Sequence, residues 1–132
     1  MVAIKLAQFI LFVSDQSVSR DFYQNILQLE PVLDVPGMTE FLLSDASKLG
    51  LMPEKGIATI IDTALPHPQT AHGIPRCELY LYVENVDECF ERSIRFGARV
   101  VSPVSIRDWG DIVGYVTDPD GHLIAFASTI SE

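Results

Sequence analysis

Gln8-Phe9-Ile10-Leu11-Phe12-Val13-Ser14-Asp15 aligns without a gap on Glu78-Leu79-Tyr80-Leu81-Tyr82-Val83-Glu84-Asn85. Both stretches are aliphatic and aromatic, as a largely buried strand requires, and both end on a residue able to cap a helix. A helix-like segment follows each one. A chain that repeats one small unit twice is expected to bury a core shared by the copies, and ligands often sit where such units face each other.

Working outward, the first copy reads as a strand from Ala3 to Val13. Asp15 then caps a helix with Val18, Phe22 and Ile26 on one face, ending near Leu27. Glu30 to Val35 reads as a second strand, broken by the turn pair Pro36-Gly37, and Thr39 to Ser44 and Leu49 to Met52 follow as two more. The stretch Pro53 to Pro75, with four prolines and both His67 and His72, reads as a long loop linking the copies. The second copy opens with a strand from Arg76 to Val83. Asn85 or Asp87 caps a helix through Phe96, and Gly97 stands where a left-handed residue would end it. Val100-Val101, Ile112 to Thr117 and Leu123 to Ala127 read as strands, with Asp118-Pro119-Asp120-Gly121 as a type I turn. The order is βαβββ twice, an α+β chain with mixed sheets.

The length of 132 residues suits one domain with a real core. Net charge of −9 argues against a nucleic-acid partner, which needs a basic surface, and favours a cationic ligand over an anionic one. Cys77, in an expected strand, and Cys89, on an expected helix, have no C-x-x-C spacing and read as buried reduced thiols of a cytoplasmic protein. The apolar run Leu6 to Val13 is too short to span a membrane, and no small-residue cleavage site follows it, so neither anchor nor signal peptide is expected.

The order of elements resembles the vicinal oxygen chelate superfamily, which groups glyoxalase I, extradiol dioxygenases and bleomycin resistance proteins. The residues that carry the resemblance are Val13-Ser14-Asp15, Asp21-Phe22-Tyr23 leading into Ile26-Leu27-Gln28-Leu29-Glu30, and Phe96-Gly97-Ala98. They continue with Trp109-Gly110 and Asp118-Pro119-Asp120-Gly121-His122-Leu123-Ile124. The resemblance implies a single domain over residues 1–132, with module 1 at about 1–53, a connecting loop at 54–75 and module 2 at about 76–130. The two βαβββ modules would form a curved mixed-sheet cup, completed by homodimerisation. It also implies four metal-ligand positions, which fall here on Gln8, Gly50, Glu78 and Ala125. Gly50 and Ala125 offer no donor, whereas a catalytic divalent ion wants at least three protein ligands. Ala125 also cannot serve as the carboxylate base of a glyoxalase-type isomerase.

Candidate ligand-binding residues are Gln8 and Phe12 on one strand face, and Glu78, Tyr80 and Tyr82 on the matching face of the second copy. Phe41, Trp109 and Tyr115 are placed near the same cavity by the repeat. Trp109 stands out because Arg107-Asp108-Trp109-Gly110-Asp111 is too polar for a core strand. Core packing explains most of the other aromatics equally well, and Glu78 could simply pair with Arg76 or Lys5. His67 and His72 could form a lid, though loop histidines between prolines are usually just solvated, as is expected of His122. The leading expectation is a metal-free binding protein that sequesters a small aromatic or cationic molecule, with no cofactor. The alternatives are a glyoxalase-type lyase or isomerase recruiting a divalent ion through Gln8, Glu78 and a histidine, and a non-catalytic structural or regulatory dimer.

Overall fold

The computed structural model describes residues 2–130, which divide into two compact units. Of these, the first comprises residues 2–24 and 28–72, the second residues 25–27 and 73–130. The first unit runs β1 (Ala7–Val13), α1 (Gln16–Leu27), β2 (Leu33–Val35), β3 (Met38–Ser44) and β4 (Ser47–Pro53). After α2 (Glu54–Ile61) and a 3-10 turn (Pro68–Ala71), the second runs β5 (Glu78–Tyr82), α3 (Val86–Arg95), β6 (Arg99–Ile106), β7 (Asp111–Thr117) and β8 (Leu123–Thr129). The sheets have the same layout, β1-β4-β3-β2 and β5-β8-β7-β6, with the first strand parallel to the last and the rest antiparallel. The βαβββ repeat and the mixed sheets are therefore present.

The caps follow the residue chemistry. Asp15 accepts the Val18 amide at 3.0 Å and Asn85 accepts the Glu88 amide at 3.0 Å, each satisfying an orphan donor of a first turn. Gly97 ends α3 at φ +102°, and the Asp118 carbonyl accepts the Gly121 amide at 3.1 Å in the expected turn. Three details differ from the sequence reading. The buried stripe of α1 is Ser19, Phe22, Tyr23 and Ile26, whereas Val18 is exposed. The expected loop after Pro53 contains a helix and a 3-10 turn. Cys77 is exposed and precedes β5, and Cys89 is half-buried on α3; both are free thiols.

In the first sheet, Gln16 at the start of α1 donates to Thr39 Oγ1 at 2.9 Å. The face of Thr39 also carries Phe41, Leu49 and Leu51, all fully buried. The opposite face carries Gln8, Ile10, Phe12, Met38, Glu40, Lys48, Gly50 and Met52, as the strand register requires. In the second sheet, Phe90 of α3 lies against Gly114, where an added Cβ would come within 2.6 Å of its ring. Val113 and Tyr115 flank Gly114 and so point to the other face. There they join Tyr80, Ala125 and Ala127 in one packed cluster. Among the described residues, no helix is long and apolar enough to cross a membrane.

Candidate functional site

The four-residue turn from Arg107 to Gly110, between β6 and β7, anchors a dense polar cluster of the second unit. The Arg107 amide donates to the Asp111 carbonyl at 2.8 Å and the Gly110 amide to the Arg107 carbonyl at 3.1 Å. Gly110 closes the turn at φ +95°, a conformation that residues with a Cβ rarely adopt. Its carbonyl is tied to the Ile130 amide beyond the end of β8. The turn thereby brings Arg107, Trp109 and Asp111 to the sheet face that α3 leaves free.

Asp111 is the hub. Only 5% of it is exposed, and one carboxylate oxygen, Oδ2, accepts the hydroxyls of Tyr80 at 2.6 Å and Tyr82 at 2.8 Å. Trp109 Nε1 donates to the Tyr80 hydroxyl at 2.9 Å. The two tyrosine rings meet edge to face, 5.3 Å between centroids. Burial first, then the bond to Asp111, pushes the Tyr80 hydroxyl up to about 12. The bond to Asp111 also raises Tyr82. Both hydroxyl protons are thus committed to Asp111, whose carboxylate is itself nearly closed off from solvent, so toward a ligand the exposed Tyr82 oxygen can act only as an acceptor, as can the Tyr80 oxygen that already accepts from Trp109. Trp109 and Tyr82 are 60% and 64% exposed, so their ring faces are available.

The Arg107 guanidinium lies 5.1 Å over the Tyr115 ring, a cation–π contact. Its Nη2 donates to Val113 O and Pro103 O at 2.8 Å and to Ser102 Oγ at 3.1 Å. Irregular pairing between β6 and β7, around Ser102 and Ser105, accompanies these contacts. Burial, then the Glu78 charge, raises the Tyr115 hydroxyl, while Arg107 pulls the other way. Glu78 is exposed and makes no ion pair among the described residues, with Arg76 and Lys5 included.

Of the expected ligand-binding residues, Tyr80, Tyr82, Trp109 and Tyr115 come together here with Glu78 nearby. Gln8 and Phe12 share a face of the first sheet. Phe41 does not: it stands fully buried on the opposite face, because it is one residue out of step with Glu40, which pairs with Gly50. Asp111 and Arg107 were in view in the polar stretch around Trp109, but alternation along a strand says nothing about side chains in a turn. Glu40 and Lys48 could be found only through the register of β3 on β4.

The ligand positions implied by the family resemblance can be tested for a divalent ion on these contacts. Gln8 Nε2 donates to Glu40 Oε2 at 2.9 Å, and Lys48 Nζ pairs with Glu40 Oε1 at 2.7 Å. Lys48 first and Gln8 second hold the Glu40 carboxyl below its ordinary range. A Cβ at Gly50 would come within 2.6 Å of Gln8 Nε2, so the amide fills the room that a ligand side chain there would need. Both oxygens of the nearest carboxylate are occupied, one by an ammonium. At the matching positions of the second unit, Ala125 has no donor and Glu78 stands alone. These residues do not suit a divalent ion. Asp118, Asp120 and His122 also cluster, but Asp118 Oδ1 accepts the Asp120 and His122 amides at 2.9 Å and closes the turn. His122 is half-buried rather than fully solvated, and His67 caps the 3-10 turn, its Nδ1 accepting the Gln69 amide at 3.0 Å.

Residues 5–126 match the model of the Glyoxalase/Bleomycin resistance protein/Dioxygenase superfamily. The chain belongs to this superfamily. Its relatives include the Mycobacterium bovis protein Mb0911c, 28% identical over 130 residues that span 92% of this chain and 82% of that one. Among solved structures, a glyoxalase-related enzyme from Fulvimarina pelagi superposes with a TM-score of 0.79 at 23% identity, covering 94% of this chain and 87% of the other. A glyoxalase/bleomycin resistance protein/dioxygenase family enzyme from Burkholderia phytofirmans also gives 0.79, at 15% identity, with 93% and 97% covered. At these identities the likeness speaks for the fold alone. Within the superfamily the fold is held in common, and the chemistry must be argued from the side chains.

Proposed function

We propose that this superfamily member binds and sequesters a small planar organic molecule carrying a basic group, on the second-sheet face of Tyr80, Tyr82, Trp109 and Asp111, with no resident metal. The observation that carries this reading is the convergence of two tyrosine hydroxyls on one oxygen of Asp111. It leaves an acceptor-rich, negatively charged patch rimmed by aromatic faces, which suits an N–H-bearing cation through hydrogen bonds and cation–π attraction. Binding is favoured over turnover because Ala125 provides no base at the position where a glyoxalase-type isomerase would need a carboxylate.

The chain has one tryptophan, so its emission reports one place. Titration with phenethylamine and with bleomycin should quench or shift Trp109 emission saturably. Trp109→Phe should abolish the signal and weaken binding, followed by calorimetry, by about 1 kcal/mol. Glu78→Gln should weaken the charged probes modestly and in a salt-sensitive way. No saturable response to either probe, or binding indifferent to both Trp109→Phe and Asp111→Asn, would sink the reading.

A further inference from the structure

We infer that the same face carries a second, anion-recognising subsite at Arg107, so that its ligand is zwitterionic, a basic planar molecule that also bears a carboxylate or comparable oxyanion. The inference rests on the binding reading above and names the second half of its ligand. In a chain of net charge −9, a half-buried guanidinium should readily find a carboxylate. Arg107 makes no ion pair among the described residues, although Asp108 is its neighbour in sequence and Asp111 belongs to the same turn. Its hydrogen bonds go to the carbonyls of Pro103 and Val113 and the hydroxyl of Ser102, all through Nε and Nη2. These partners fix the group in place but bring no negative charge.

Nη1 donates to no protein group among the described residues, which leaves two N–H donors on a cation whose charge is uncompensated. Stacking on Tyr115 keeps the guanidinium on the face shared with Tyr80. A half-buried cation held in place through its other nitrogens, with donors to spare, favours an anionic oxygen over a neutral carbonyl. One free nitrogen suits a single oxygen rather than a fork-to-fork pair. The hairpin therefore offers an acceptor cluster at Asp111 and a donor at Arg107, four residues apart in sequence, on the face that carries Tyr80 and Tyr115. A purely cationic ligand would use the first and leave the second unpaired.

The test uses matched probes that differ by one carboxylate: phenethylamine against phenylalanine, and benzylamine against 4-(aminomethyl)benzoate. The pairs place the two charges at different spacings. Trp109 emission and calorimetry follow the full chain. In at least one pair the acid-bearing probe should bind about tenfold more tightly than its amine, as a charge-assisted hydrogen bond allows. That advantage should vanish in Arg107→Gln, persist in part in Arg107→Lys, and shrink with added salt. If the amines bind and neither acid binds more tightly, this inference falls while the binding reading stands. If no probe binds, the binding reading falls and takes this one with it. Should Arg107→Gln unfold the hairpin, seen as lost binding of the amines too, Arg107→Lys decides: an acid advantage equal to or above that of the unaltered chain, or none in either protein, overturns the proposal.

Discussion

Replacing Asp111 by Asn tests the centre of the candidate site while keeping its shape. The amide oxygen can still accept from both tyrosines, but without the charge. Hydrogen bonds to a charged acceptor contribute about 1.5–3 kcal/mol and neutral ones about 1 kcal/mol. The Tyr82 bond counts for little, because that residue is 64% exposed and water replaces the loss. The Tyr80 bond, 2.6 Å long and further from solvent, dominates the effect. Part of the loss is offset because a 5%-exposed carboxylate no longer has to be kept charged. The net expectation is a destabilisation of about 1 kcal/mol, read as a lower urea midpoint at unchanged slope. A second readout is the titration of Tyr80, followed by carbon NMR of labelled tyrosine. The folded chain holds the Tyr80 proton up to about 12, against an ordinary value of about 10. Its stabilisation is therefore complete below the ordinary value and is lost as pH climbs through the folded one. In the Asn variant burial persists as the larger cause, so Tyr80 stays raised, but by less. An unchanged midpoint together with an unchanged Tyr80 titration would refute the reasoning.

Gly114→Ala should cost about 1–3 kcal/mol, since the new methyl meets Phe90 at 2.6 Å and Val104 at 2.7 Å; wild-type thermal stability would contradict the packing described. Gly50→Ala should displace Gln8 from Glu40 at a cost of about 1 kcal/mol, less than additive with Gln8→Ala. The Glu40 carboxyl, lowered in the native fold, gives stability that is present above its unfolded value and lost as pH falls through its folded one. Its titration should move up in Gly50→Ala and further in Lys48→Met, and an unmoved Glu40 in both would show that neither contact matters. Light scattering is expected to give twice the 14.6 kDa chain mass, because β2 and β6 end their sheets with Leu33, Val35, Val100 and Ile106 exposed; a chain-sized mass would refute a dimer.

The fold was legible because its signals are local. Strand openings, the Asp15 and Asn85 caps, Gly97 and the Asp118 to Gly121 turn each depend on neighbours within a few residues. What escaped depended on something further away. α2 has Gly56 inside it, three isoleucines and a threonine of modest helix propensity, and no buried residue, so no apolar stripe announced it. β6 was seen only at Val100-Val101, because Pro103 and two serines break the pattern on an edge strand where such residues are tolerated. Phe41 was assigned to the wrong face by a single residue of register. At the site, strand alternation points to Tyr80 and Tyr82, and the internal repeat with the polar surroundings of Trp109 points to Trp109 and Tyr115, whereas Arg107 and Asp111 gain their places from a turn whose geometry the residue pattern does not encode.

That turn divides the burden of recognition unevenly. Trp109 sits at the tip with most of its surface in water, so exchanging it would leave the interior untouched. Asp111 opens β7, nearly closed off from solvent, and holds two side chains from another strand. Arg107 falls between, stitched to carbonyls on both sides of the hairpin. Descendants of this chain could therefore retune which ring system they accept through the tip, rapidly and with little harm to folding. A change in the sign of the charge they accept would have to pass through the sheet itself, and should accumulate far more slowly.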